Sequence, residues 1–268
     1  TRTVDLGVGR LAKNIQVGDQ FTCVILDNNT SKCWGDGIRG QLGVVANQLL
    51  SPPTEPINYG VDSSGDRLWP KSISANGWNV CAILNDNSVK CSGWNRYYQL
   101  GDGSPTMTSD FGDVIKTMTS ALNLGVGEAA QEISVGSEHV CVLLMSSKIK
   151  CWGDGFYNIG YESRSKYSSP PAIPISLGTT SSSIVLTANK VSAGFHSCAI
   201  LYDSTLKCWG YNTRGEVGII PTVNSWDTSN IGDALGEMGN GLPRVGVRRL
   251  SVTNSTPSGN PLSNPFDL

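Results

Sequence analysis

Eight cysteines are the residues best placed to do chemistry, and they fall as four pairs: Cys23 and Cys33, Cys81 and Cys91, Cys141 and Cys151, Cys198 and Cys208. Every pair encloses nine residues. That spacing lacks the close two-residue knuckle typical of zinc sites, and only two histidines exist to help. Four identical pairs with none left over predict four local disulfides and an oxidising compartment, with buried free thiols as the alternative. The histidines, His139 and His196, each stand two residues before a first cysteine, where Phe21 and Asn79 stand in the other pairs. A catalytic acid–base pair is not normally distributed one per repeat, so both are expected to be structural. No G-x-S-x-G elbow, metalloprotease helix motif, phosphate loop or dinucleotide fingerprint is present. The expectation is a protein that is not an enzyme and carries no cofactor.

Two acidic groups raise the question of calcium: Asp102, Asp110 and Asp113, and later Asp227, Asp233 and Glu237. Their spacing does not match a calcium loop, and the recurring Gly-Asp is better explained as a turn, so no metal site is expected. Trp34, Trp152 and Trp209 directly follow a second cysteine, while Trp94 is displaced by two residues. Recurrence at one repeat position points to core packing. Trp69, Trp78, Tyr97, Tyr98, Phe156, Tyr157 and Trp226 are less regular and lie in or near loops, which makes them the candidates for a recognition surface. Asn28 and Asn254 begin glycosylation sequons, the first at an expected hairpin tip and the second in an expected tail.

The elements that position these residues repeat. IQVGDQFTCVILDNNTSKCWGDGIRGQLG begins at Ile15, ISANGWNVCAILNDNSVKCSGWNRYYQLG at Ile73, ISVGSEHVCVLLMSSKIKCWGDGFYNIG at Ile133 and VSAGFHSCAILYDSTLKCWGYNTRGEVG at Val191. Such self-similarity is the signature of a propeller or solenoid. Runs such as CVIL and CAIL are of strand length, and Asp27-Asn28-Asn29 or Asn85-Asp86-Asn87 then force a turn. Folding back about Asn28 places residue 23 opposite 33 and 25 opposite 31, so each cysteine pair meets across a β-hairpin. The small-residue turn, the strand into C-[AV]-[IL]-L, and C-W-G with a later Q-L-G resemble the regulator of chromosome condensation repeat family, and closest to its secreted, cysteine-paired branch. That resemblance implies β-propeller blades whose loops bind a ligand. The sequence departs from the pattern at Ser92-Gly93-Trp94, at Asn158-Ile159 and at Glu216-Val217.

A longer period overlies the first. VDLG at Val4, INYG at Ile57, LNLG at Leu122, ISLG at Ile175 and VGV at Val245 mark unit starts. The short first and third units end in SPPTEPI from Ser51 and SPPAIPI from Ser169. The long second and fourth carry TSDFGDVIKTM from Thr108 and TSNIGDALGEM from Thr228. The order is A-B-A-B, an all-β propeller-like domain over 1–246 with units at about 4–56, 57–121, 122–174 and 175–244. A partial fifth copy and an extended tail follow over 247–268. In that fifth copy LSVTN, with Leu250 and Val252, reads as a spare strand that either completes the propeller in cis or docks on the next molecule head to tail.

The chain has 268 residues and a formal net charge of −2, and no Lys/Arg run exceeds Arg248-Arg249, so no nucleic-acid partner is expected. Its apolar stretches are too short to span a bilayer. It has no initiator Met and no signal-like start; Thr1 either follows a removed signal peptide or begins a fragment. With disulfides implying a place outside the cytosol, the nuclear exchange-factor role of one family branch is not expected. The expected function is a secreted, non-catalytic scaffold recognising an extracellular protein or glycan. The alternatives are a filament subunit that polymerises by donating its C-terminal strand, and a secreted enzyme inhibitor.

Overall fold

The computed structural model describes residues 2–104, 118, 120–154, 159–161, 165–180, 182–212 and 214–218. Unit one consists of β1 (Ala12–Val17), β2 (Phe21–Leu26), β3 (Ser31–Asp36) and the short β4 (Gln48–Leu49). Unit two holds β5 (Pro70–Asn76), β6 (Asn79–Leu84) and β7 (Val89–Gly93), and unit three β8 (Ala130–Val135), β9 (His139–Leu144) and β10 (Ile149–Gly153). Unit four holds β11 (Ala188–Ala193), β12 (His196–Leu201) and β13 (Leu206–Gly210). Each unit is an antiparallel sheet in chain order.

The hairpin register is the one the turn residues demand. Cys23 lies opposite Cys33 and Ile25 opposite Ser31, and the other three pairs repeat it. All eight cysteines are bridged, each within its own hairpin. The turns are three-residue loops whose last residue is left-handed: Asn29, Asn87, Ser147 and Ser204 have φ of 62°, 65°, 62° and 63°. Asn28, Asp86 and Asp203 brace three of these turns by accepting the backbone N–H two residues on. The inner strands β1, β5, β8 and β11 all carry an irregularity at the same place, near Ala12, Pro70, Ala130 and Ala188, which bends them where units meet.

Sheets pack face to face, and this explains why β6 (NVCAIL) and β9 (HVCVLL) read as unbroken apolar runs: both faces are buried. Cys23 and Ile25 of unit one pack against Ile73, Ala82 and Leu84 of unit two. Cys81 and Ile83 pack against Ile133, Val142 and Leu144 of unit three, and Cys141 and Leu143 against Val191, Ala199 and Leu201 of unit four. The disulfides of units one to three therefore sit inside the inter-unit cores, whereas Cys198–Cys208 of unit four is half-buried. Each unit packs on the next, and among the described strands no comparable packing joins the first to the fourth. Ile15 of β1 is accordingly 61% exposed, whereas Ile73, Ile133 and Val191 at the same position are buried. The expected fifth copy, with Leu250 and Val252, lies outside the described residues.

A lysine before each second cysteine ties the unit-start segment to its hairpin. The Nζ of Lys32, Lys90 and Lys207 donates to the carbonyls of Leu6, Tyr59 and Leu177 at 3.1, 2.7 and 2.5 Å. Lys150 donates to Leu124 at 2.8 Å and to Ala172, in SPPAIPI, at 3.0 Å. Burial pushes the Lys150 ammonium below the usual lysine range. The same segments bond back to the preceding unit, Ile57 N–H to Ser31 O, Leu122 to Val89 O and Ile175 to Ile149 O, at 2.9, 2.9 and 2.8 Å. The unit-start segments of units two to four are thus seams held from both sides.

Candidate recognition face

At one edge of each unit the turn before the middle strand meets the chain leaving the third strand. A backbone bond fixes the meeting in three units: Asp36 N–H to Gln20 O, Trp94 to Trp78 O and Asp154 to Glu138 O, at 2.8, 3.0 and 2.9 Å. The side chains so displayed are Gln20 with Asp36, Trp78 with Trp94, and Glu138 with Asp154. Phe195 and Tyr211 take these places in unit four, whose turn is one residue shorter. The A-B-A-B period is therefore chemical, with polar or acidic pairs on A units alternating with aromatic pairs on B units.

Unit two carries the densest cluster. Trp78 and Trp94 meet edge to face with centroids 5.0 Å apart, and Tyr97 meets Trp94 likewise at 5.4 Å. The Arg39 guanidinium, from unit one, lies 4.3 Å from the Trp78 ring centre and 4.8 Å from that of Trp94. Arg96 lies 5.8 Å from the Tyr97 ring, and Lys166, from unit three, 5.0 Å from it. Lys166 also pairs with Asp154 at 3.5 Å. Burial, then the Asp154 charge, push the Glu138 carboxyl above the usual range, while Lys166 and Arg96 oppose that shift. Three units thus contribute to one patch of rings flanked by cations.

This patch exists because unit two gives up its core tryptophan. In unit three Trp152 is fully buried, donates its indole N–H to Gln99 O of unit two at 2.9 Å, and lies on Gly101, where any Cβ would collide with it. Trp209 is likewise fully buried and seated on Gly160, but its indole N–H has no partner among the described residues. In unit two that position is Ser92, and Met118 packs against the core near Gly43 instead. Trp94 is carried past the strand end to the face. Despite the departures from Q-L-G, Ile159 and Val217 stay buried like Leu42 and Leu100.

Of the residues expected at a recognition surface, Trp78 and Tyr97 meet in this cluster, and Tyr98 adjoins it with a left-handed φ of 65°. Trp69 does not join them: it lies at the opposite end of β5, exchanging backbone and side-chain bonds with Asn85. Phe156, Tyr157 and Trp226 lie outside the described residues. Trp94, Arg39, Arg96 and Lys166 were not expected there, and the displaced tryptophan was their one sequence signal. Asp102 braces a turn through Ser104 N–H; the other five acidic residues of the calcium question lie outside the described residues. Asn28 is exposed at its hairpin tip, and Asn254 lies outside the described residues.

His139 is buried between units three and four, its Nε2 2.6 Å from Ser197 Oγ and its Nδ1 without a partner among the described residues. Burial, reinforced by nearby His196, lowers its pKa to about 4. The folded pKa lies below the unfolded value of 6.5, so the stability it supports is present above about pH 6.5 and is lost as pH falls toward about 4. Denaturation midpoints should show an acid-side loss of roughly 3 kcal/mol over that window, and His139→Asn should remove that component. Identical pH profiles for wild type and variant would contradict this.

The Regulator of chromosome condensation (RCC1) repeat matches residues 12–41, 71–99 and 189–216. The chain is 25% identical over 209 residues to the ultraviolet-B receptor UVR8 of Arabidopsis thaliana, covering 77% of this chain and 43% of that protein. Human WBSCR16 superposes with a TM-score of 0.61 at 21% identity, over 78% of this chain and 50% of its own. Yeast RCC1 (Prp20), solved bound to Kap60, gives a TM-score of 0.62 at 20% identity, over 81% and 48%. The chain spans less than half the length of the curated relative and about half that of these solved structures, which at such identities share its fold.

Proposed function

The chain belongs to the regulator of chromosome condensation repeat family, and from that premise we propose that it is a non-catalytic recognition scaffold of the extracellular space, binding a protein or glycan through the face displayed by units one to three. The observation that carries this reading is the Trp78–Trp94–Tyr97 cluster with Arg39, Arg96 and Lys166 around it. Aromatic rings and arginines are the side chains that concentrate binding energy at interfaces. Flat rings beside cations suit an acidic protein segment or an anionic sugar lying on an apolar footing. Yeast RCC1, which shares this fold, is solved bound to the protein Kap60. The four disulfides, three of them buried, support an oxidising location, and an exposed Asn28 supports glycosylation of its sequon.

Labelled protein applied to arrays of extracellular proteins and glycans tests the proposal. Trp78→Ala is expected to weaken the retained interactions by about 30-fold, the scale of an interface hot spot. Binding that survives unchanged in both Trp78→Ala and Arg39→Ala would move recognition away from this face.

A further inference from the structure

Among the described residues, nothing covers the face of unit four that points away from unit three. Ile200 is 41% exposed there, whereas Ile25, Ile83 and Leu143 at the same position are 4%, 2% and 0% exposed. Cys198 and Leu206 are half-buried, while Cys141 and Ile149 are fully buried. Ile200, Leu206 and Ser192 line a cavity of about 590 Å³ that continues along the inner strands past Ser134, Ser74 and Gln16.

In units two and three the same face is covered by the inner strand of the next unit, and each such strand reads apolar–Ser–apolar. Ile133-Ser134-Val135 covers unit two and Val191-Ser192-Ala193 covers unit three. Both make the same polar contact: Val135 N–H donates to Ser74 Oγ at 3.0 Å, and Ala193 N–H to Ser134 Oγ at 2.8 Å. Ser192 is the next serine in this series, and no group among the described residues bonds its hydroxyl.

The sequence places a further segment of this kind, Leu250-Ser251-Val252, where the next inner strand is due. The interval from a second cysteine to the first apolar residue of the following inner strand is 40 residues for Cys33 to Ile73, 42 for Cys91 to Ile133 and 40 for Cys151 to Val191. From Cys208 to Leu250 it is 42, the value of the other B unit. We propose that the uncovered face of unit four is a docking groove for an extended apolar–Ser–apolar strand, and that residues 250–252 of this same chain are its occupant. In the proposed docking Leu250 would cover Ile200 and Leu206 and the Val252 N–H would donate to Ser192 Oγ, as Ile133 packs and Val135 donates one B unit earlier. The inference is independent of the recognition face, which lies on units one to three.

Amide hydrogen exchange on the full chain tests it. The Val252 amide is expected to exchange about 100-fold or more slowly than in an unstructured peptide of the same sequence. Leu250→Asp and Ser192→Ala should each reduce that protection about tenfold or more, Ser192→Thr should retain it, and amides of residues 140–144 should be unaffected in all three. Unprotected exchange at 250–252 in the wild type, or protection indifferent to Leu250→Asp, would overturn the proposal. Protection that appears only with a concentration-dependent dimer on size exclusion would overturn the choice of occupant and assign the groove to a second copy.

Discussion

Trp152→Ala is expected to destabilise the protein by about 3–5 kcal/mol, whereas Trp34→Ala should cost less than about 2. The two residues follow equivalent cysteines and differ in what precedes them. Trp152 is fully buried in the core between units two and three, bonded to Gln99 O and seated on Gly101. Its removal opens a large cavity and orphans the Gln99 carbonyl. Trp34 is half-buried, and no described unit supplies it with a glycine seat. Urea denaturation of the two variants side by side measures the difference. Equal losses would mean that stability does not arise from unit-on-unit stacking.

Replacing one staple, as in Cys141→Ala/Cys151→Ala, is expected to cost roughly 2–3 kcal/mol through the freed loop of the unfolded chain. A further ~1 kcal/mol comes from packing, because both cysteines are fully buried in the core shared with unit four, beside Leu143 and Ile149. The effect is large for a protein whose net stability is about 5–15 kcal/mol. Guanidinium unfolding without reductant is the measurement. A double variant within about 0.5 kcal/mol of wild type would show that the hairpins hold without their bridges.

Much of the architecture was legible because it is periodic. The nine-residue cysteine spacing and the Asp-Asn turns led to the hairpin register found, with Cys23 opposite Cys33 and Ile25 opposite Ser31. The A-B-A-B order reappears in the face pairs, which no local pattern announces because each pair joins residues about sixteen apart through a backbone bond. The four lysines were missed for a plain reason. A lysine alternating with apolar residues in a strand looks solvent-facing, yet Lys32, Lys90, Lys150 and Lys207 run back along buried surface to carbonyls. Their recurrence before every second cysteine was the available signal. Trp94 looked like a core residue out of place, and its displacement is what carries it onto the face. The approach of Arg39 to Trp78 is a contact between units, so neither repeat read alone contains it.

As proposed, this stack of stapled units is a recognition scaffold working in an oxidising space outside the cell. The most direct test is thiol alkylation, under non-reducing conditions, of the protein collected at its native location, followed by peptide mass spectrometry. The account predicts extracellular material in which none of the eight cysteines is alkylated and every bridge joins Cys23 to Cys33, Cys81 to Cys91, Cys141 to Cys151 and Cys198 to Cys208. Alkylated thiols in protein recovered from the cytosol or nucleus would contradict it.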